Sequence, residues 1–377
     1  MKNIPFGRPI ILEEEKKAVL DVLNGHILTH GPKVKEFEQQ FSNHIGGGNS
    51  LAVSSCTAGL HLAYFYLNIG PGDEVIVPAQ THVATAHSVE YCGAKPIFID
   101  SELSTGNIDI EKIENAITNR TKAISVVHFL GIPVDMGLIN KVAKKYDLFV
   151  VEDCALAIGS YFDNIHAGLH GDVSCFSFYP VKHITTAEGG MFVTKHPDIA
   201  SVVSKQRAFG IDRQHTERKT PGIYDIDMLG FNYRMSELQA AIGIEQVKRI
   251  DNFLKKRKEH FNYLEDKLKS IDNIQTIKPN NPSCNSSYYC LSIILKGTLA
   301  DRRVEIIHKL NELGVGTSVY YPNPVPLMKY YSQKYNYKQD MFPNASLISN
   351  SSIALPVGPH LEIEDMEYIY KSFVKIL

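Results

Sequence analysis

The stretch GLHLAYFYLNIGPGDEVIVPA, residues 59–79, decides the fold in two halves. Its first part is apolar around the whole helical circumference and reads as a buried helix ending at Gly70. Pro71-Gly72-Asp73 forms a turn, and EVIVPA then reads as a strand apolar on both faces. The same grammar continues outward. ATAHSVEYCG (84–93) has helical composition, KPIFID (95–100) is a short strand, and IEKIENAIT (110–118) is amphipathic. KAISVVHFLG (122–131) is a buried strand, LINKVAKKYD (138–147) a helix, and LFVVED (148–153) another apolar strand. Alternation of this kind predicts an α/β fold with a mostly parallel central sheet covered by helices. DVSCFSFYP (172–180) and GGMFVT (189–194) read as two further strands joined by a loop.

Beyond Met235 the character changes. Residues 236–270 read as one long, increasingly charged helix, and from Ile271 short strands alternate with helices between Pro-rich joints. The expected organisation is a large domain over 1–250 and a smaller C-terminal α+β domain over 251–377.

Bulk properties narrow the classes. With 39 Lys plus Arg against 41 Asp plus Glu, the formal charge is −2, which gives no broad positive field for nucleic acid. The six cysteines include no Cys-x-x-Cys pair, so a reduced, cytoplasmic protein is expected. Residues 1–17 lack the basic start and long apolar run of a secretory leader. Residues 39–72 carry no Asp, Glu, Lys or Arg, but hydroxyl residues and glycines interrupt them, so burial rather than a membrane span is expected.

Four segments can carry chemistry. FSFYPVKHITTAEGGM (176–191) sets Lys182 among apolar and hydroxyl residues, where a partly desolvated amine loses its proton more easily and becomes a Schiff-base nucleophile. Its bland alternative is a surface lysine in a loop. VVEDCA (150–155) ends a buried strand at Asp153, and ligands of open α/β sheets bind at carboxyl ends of strands. A carboxylate there can keep a pyridine nitrogen protonated; alternatively Asp153 only caps the next helix. SSCTAG (54–59) offers hydroxyls and amides at a helix start, either a phosphate cradle or an ordinary cap. GFNYRM (230–235) supplies an amide, a phenol and a guanidinium.

In order and spacing, these segments resemble the DegT/DnrJ/EryC1/StrS family of sugar aminotransferases, within fold type I of the pyridoxal-phosphate enzymes. The resemblance runs through GPKVKEFEQQF (31–41), SSCTAGLHLA (54–63), GPGDEVIVPAQTHVATA (70–86), GAKPIFID (93–100), ITNRTKAI (117–124), VVEDCA, residues 171–191, GFNYRMSELQAAIG (230–243) and GVGTSVYYP (314–322). It implies pyridoxal 5'-phosphate held by Lys182 in Schiff-base linkage, with Asp153 on the pyridine nitrogen. It also implies that the backbone amides of Thr57 and Ala58 and the Ser177 hydroxyl hold the phosphate. Asn232 would reach the neighbouring subunit's cofactor in a homodimer with shared active sites, and Arg234 would hold the amino donor's carboxylate. Two positions depart from the pattern: His82 stands where an aromatic ring usually stacks on the cofactor, and Leu156 replaces a polar partner of its phenolic oxygen.

The wording ITTAEGGM after Lys182 looks most like members that aminate C4 of nucleotide-linked 4-keto-6-deoxy sugars for surface polysaccharides such as O-antigen. L-Glutamate is the implied donor. C3 amination and a related dehydratase, in which histidine replaces the lysine, stay as alternatives, as does a non-catalytic relative. Counting from Ser177 puts Lys182 at the lysine position and His183 one beyond. No metal is expected: His166 and His170 have i, i+4 spacing, but on a glycine-bearing loop. Cys56 and Cys154 are expected as buried fillers, Tyr320 and Tyr321 as small-domain packing or sugar-pocket lining, and residues 212–219 as a solvated loop.

Overall fold

A computed structural model describes residues 2–212 and 223–377. The run at 213–219 expected as solvated loop lies outside the described residues. Thirteen strands are present among the described residues: β1 Asn49–Val53, β2 Glu74–Pro78, β3 Lys95–Ile99, β4 Thr121–Val127, β5 Phe149–Asp153, β6 Tyr161–Phe162, β7 Ile165–His166, β8 Val173–Ser177, β9 Gly190–Thr194, β10 Ile274–Thr276, β11 Cys284–Asn285, β12 Leu291–Leu295 and β13 Ser352–Leu355. Seven of them form the central sheet in the order β1-β9-β8-β5-β4-β2-β3. β9 pairs antiparallel with both β1 and β8, and the other pairings are parallel. The carboxyl ends of β1, β5 and β8 therefore share one edge of the sheet. The structure is the expected α/β sheet, mostly parallel and flanked by helices.

Helices α1 Glu13–Leu23, α2 Pro32–Ile45, α3 Cys56–Tyr66, α4 Val83–Tyr91, α5 Ile113–Ala116, α6 Met136–Tyr146, α7 Pro197–Gln206, α8 Glu237–Lys248 and α9 Ile250–Leu268 follow the chain to the end of the linking segment. Burial of α3 is nearly complete, from Cys56 to Tyr64, as its all-round apolar sequence requires. The helix stops at Tyr66 rather than Gly70, because Asn68 takes a left-handed backbone (φ 52°) and Ile69 N–H turns back to Tyr64 O (3.2 Å). The amphipathic stretch at 110–118 is a single-turn α5 after a short 3-10 turn. β4 ends at Val127, and Phe129–Gly131 is a 3-10 turn.

The expected long helix is two. Arg249 breaks it (φ −109°, ψ 0°) with neither Gly nor Pro at the break. The cause is tertiary: Arg249 pairs with the buried Glu15 carboxylate of α1, and Gln246 binds Glu15 Oε1 (2.7 Å) and Ile10 O (2.9 Å). The bend lets Ile250 and Phe253 join the core that holds Phe37, Phe41 and Phe178, while Phe261, Leu264 and Leu268 enter another.

That other core contains the three-stranded antiparallel sheet β10-β12-β13 with α10 Thr298–Asp301, α11 Arg303–Glu312, α12 Lys329–Tyr335, α13 Pro343–Ser351 and α14 Ile363–Ile376 distributed around it or beyond it. Leu291, Ile293, Ile306, Leu310, Met366 and Phe373 fill it, and Ile4 joins from the far end of the chain through a bridge to Val315. Val325, Tyr331, Phe342 and Ala345 instead pack into the core around α3 and α4, where the Tyr331 hydroxyl meets His87 Nδ1 at 2.7 Å. Among the described residues no helix is long and apolar enough to cross a membrane.

Candidate active site

Chain direction brings the chemistry to one edge. Asp153 is the last residue of β5 and Ser177 the last of β8, and Val53 and Ser177 both register with Gly190 at the start of β9. Directly after β1, Ser55 caps α3 by accepting from Ala58 N–H (3.0 Å). The Cys56 and Thr57 amides at the same helix start have no hydrogen bond in the described structure, and the helix dipole adds partial positive charge there. A Cβ on Gly190 would stand 2.5 Å from Cys56 N, so only glycine lets β9 approach this terminus. Free amides at a helix start, with the Ser177 hydroxyl nearby in the sheet, make a cradle that fits a phosphate group.

Asp153 is buried and does not cap a helix. Its Oδ1 accepts from Ala155 N–H (3.0 Å), and the Thr85 hydroxyl donates to Oδ2 (2.8 Å). Thr85 in turn meets the Thr81 hydroxyl (2.7 Å). The carboxylate is thus fixed from α4 and from its own turn, with lone pairs left to accept from a protonated ring nitrogen. Thr85 was not singled out in the sequence; the Thr81, Thr85 spacing of four across a helix start was the available signal.

Lys182 follows the turn at Pro180, where its own amide donates to Tyr179 O (2.9 Å). Burial lowers its ammonium pKa from the ordinary value, against the opposing pull of Cys56 and Asp153. Among the described residues its Nζ has no ion pair or hydrogen bond, only the Tyr289 ring with its centroid 5.7 Å away. It is a desolvated amine that feels the charge of a fixed carboxylate. The neighbouring His183 is engaged elsewhere: Nε2 donates to Ser287 O (3.2 Å), and burial and then Arg257 hold the ring well below its usual pKa, hence neutral.

The other expected residues are placed as follows. His82 caps α4, its Nδ1 accepting from Ala84 N–H (3.2 Å), with Tyr321 edge-on at 5.8 Å. His82 is exposed, but partial desolvation and then Lys182 lower its pKa, so the ring stays neutral. Tyr321 borders this cleft, its ring edge-on to His82 and its phenol under the influence of the Asp153 charge. Ser177 accepts from Tyr179 N–H at 3.4 Å. Leu156 is buried in an apolar cluster with Phe129 and Tyr289. Asn232 is exposed and bridges to Ala208. Arg234 bridges to Val53 but stacks on Phe209 at 4.9 Å, and no hydrogen bond or ion pair among the described residues ties it to Lys182 or Asp153.

Burial pushes the Cys56 and Cys154 thiols far up, so both stay protonated and inert. His128, Glu152 and Cys154 lie together, but their lone pairs are used. Glu152 accepts from Gly168, His170 and Gly171 amides and from His128 Nε2, and His128 Nδ1 accepts from Val134 N–H. His166 and His170 face different partners, Gly159 N–H and Ile165 O.

The sequence profile of the DegT/DnrJ/EryC1/StrS aminotransferase family matches residues 9–374. GDP-perosamine synthase of Escherichia coli O157:H7 is 35% identical over 99% of this chain and 98% of its own. Among solved structures, the putative sugar aminotransferase Spr1654 from Streptococcus pneumoniae in its PMP form superposes with a TM-score of 0.93 at 29% identity, covering all of both chains. Helicobacter pylori PseC, an aminotransferase involved in pseudoaminic acid biosynthesis, gives 0.92 at 28% over 100% of this chain and 99% of its own. A carboxylate, a desolvated lysine and an open helix start on one sheet edge, matched over nearly the whole length, make this chain a member of the DegT/DnrJ/EryC1/StrS aminotransferase family.

Proposed function

We propose that the protein is a pyridoxal-phosphate-dependent aminotransferase that moves the amino group of L-glutamate to a nucleotide-linked 4-keto-6-deoxy sugar for surface-polysaccharide synthesis. The observation that carries this reading is the unpaired, desolvated and partly exposed Lys182 amine, which feels the charge of Asp153, beside the open start of α3. Lys182 would hold the cofactor and then, once displaced, carry the proton between the donor's α-carbon and the cofactor side. Asp153, locked by Thr85 and Ala155, would keep the ring nitrogen protonated. The Thr57 amide and the Ser177 hydroxyl would hold the phosphate; because Ser55 already meets the Ala58 amide, the Cys56 amide is the better second donor. When bound, the cofactor supplies an electron sink for the substrate's carbanion. His82, neutral and open at the cleft, would stack on the ring.

The 4-keto sugar follows from the resemblance and from the GDP-perosamine synthase relative. The engagement of His183 with Ser287, while the Lys182 amine is left without a hydrogen bond among the described residues, favours amine transfer over the dehydratase alternative. A homodimer is part of the proposal: Ile223, Ile226 and Leu229 are 65%, 59% and 71% exposed on the approach to Asn232, an apolar surface suited to a second copy. So is the division at residue 250, supported by the separate apolar core around Phe261, Leu291 and Phe373, with Ile4 as an N-terminal contribution. All six cysteines are free thiols, which fits a reducing, cytoplasmic compartment.

Purified protein should show a visible absorption band that L-glutamate bleaches. Borohydride should fix the cofactor on the peptide carrying Lys182, and Lys182→Ala should abolish both signals. Nucleotide 4-keto and 3-keto sugars offered with glutamate, with products identified by mass and sugar NMR, decide the substrate. Label on another peptide, or a deoxygenated product without nitrogen, would sink the reading.

A further inference from the structure

Arg257 is a charged side chain in the wrong place for a surface helix. It lies on α9 four residues after Phe253 and four before Phe261, on the apolar stripe, and only 6% of it is exposed. Its Nη1 donates to Tyr289 O (2.7 Å), but Nε has no acceptor. Among the described residues no carboxylate lies within ion-pair distance. The groups that act on it electrostatically are Tyr289, Cys290 and Tyr320, all neutral near pH 7. A guanidinium does not solve this by losing its proton, so the site holds a buried, uncompensated positive charge.

The guanidinium lines a small cavity of about 20 Å³ together with Arg8, Lys182, His183, Gln246 and Tyr289. No Asp or Glu lines it, and Arg8 likewise has no ion pair among the described residues. Gln246 is fully engaged with Ile10, Glu15 and Thr185, and His183 is neutral with an unpartnered buried Nδ1. Lys182 Nζ and Arg257 Cζ each lie 5.7 Å from the centroid of the same Tyr289 ring. An anion seated here would complete the electrostatics, and it would sit next to the reactive lysine. The cavity has room for one small polar group, not for a diphosphate.

We propose that Arg257, assisted by Arg8, is the subsite that receives a carboxylate of the amino donor. This rests on the aminotransfer reading above. It moves the donor-binding role from Arg234, which lies on Phe209, to a residue that shares the Tyr289 ring with Lys182.

The test separates the two half-reactions of the holoenzyme. In Arg257→Met the glutamate concentration that half-maximally drives bleaching of the visible band should rise about 30-fold. The reverse half-reaction, return of the band from the aminated form on adding the nucleotide-linked keto sugar, should keep its sugar dependence within about twofold, and Arg257→Lys should recover part of the loss. Equal damage to both half-reactions would assign Arg257 to folding alone, and an unchanged glutamate dependence, or a shift produced by Arg234→Met instead, would also overturn the assignment. A second readout does not need turnover: glutarate should raise the melting temperature of the wild type but not of Arg257→Met. Equal stabilisation by chloride or phosphate would make it a general anion site and overturn the carboxylate assignment. Glutamate failing to bleach the wild type would refute the aminotransfer reading. Glutarate protection that depends on Arg257 would then still establish the carboxylate site.

Discussion

At the residue scale the site is governed by how little water reaches Lys182. Burial lowers its pKa, and the charge of Asp153 works against that. Replacing Asp153 with Asn removes a raising influence, so the Lys182 pKa should fall further. The pH midpoint for acylation of Lys182, followed by peptide mass, should therefore move down in cofactor-free Asp153→Asn. Transfer in the same variant should drop on the order of 100-fold, because a preorganised charge is lost where the reaction develops charge. An unchanged midpoint would mean that the two groups do not interact as the geometry implies. Lys182, Asp153 and Ser177 could be named as candidates from the sequence because each sits in a motif that resembles the family's pattern. Thr85 and Arg257 could not, since a hydroxyl or a guanidinium in a helical run takes its meaning only from what is packed opposite it. The single sequence clue to Arg257 was its place in the Phe253, Phe261 stripe of an otherwise charged helix.

At the scale of elements, α3 and β9 build the anion cradle jointly. The helix start is set by the Ser55 cap, and Ser55→Ala should cost about 1 kcal/mol of stability in chemical denaturation. Gly190→Ala should do different damage. Its Cβ would meet Cys56 N and the Ser55 carbonyl carbon at 2.5 Å, both of them backbone, so strand and helix must part. Titration with pyridoxal phosphate should show weakened uptake in Gly190→Ala at least tenfold beyond that in Ser55→Ala, a difference of about 1.4 kcal/mol. Equal uptake by the two variants would remove the cradle from this helix start. Element types were well marked by periodicity, whereas two of their ends were not. α3 begins at Cys56 and stops at Tyr66 because of a side-chain cap and a left-handed Asn68, and the 236–270 segment bends at Arg249 because Glu15 pulls it there.

At the scale of the whole molecule, buried histidines tie stability to pH. Burial lowers His166 to about 3, outweighing the hydrogen bond to Ala167 O that favours the charged ring, while Nε2 accepts from Gly159 N–H. The unfolded chain takes up that proton near the ordinary value of about 6.5 while the folded chain does not. Stability from this residue is therefore complete above about 6.5 and declines as the pH falls toward 3. Between pH 6.5 and 5 the loss from His166 should be about 1–2 kcal/mol, and His183, also lowered by burial, acts in the same direction. Denaturant midpoints measured across that range should fall in the wild type and flatten in His166→Gln; parallel slopes would refute the assignment. For Glu152, burial alone would raise the carboxyl, but His128 and the Gly171 and Gly168 amides outweigh it and hold it low. Its contribution persists above the ordinary glutamate value and fades only at more acid pH. The sequence by itself determined the layer architecture and the mostly parallel sheet, because apolar period and turn chemistry are local properties of the chain, while the lysine, the carboxylate and the helix start were candidates named from their motifs and the family resemblance. Only the tertiary structure decided which hydroxyl fixes Asp153, why helix α8 stops at Arg249, and that a guanidinium lies buried beside Lys182 without a counter-charge. Those depend on contacts between residues far apart in sequence, and no local pattern encodes the desolvation that gives them their effect.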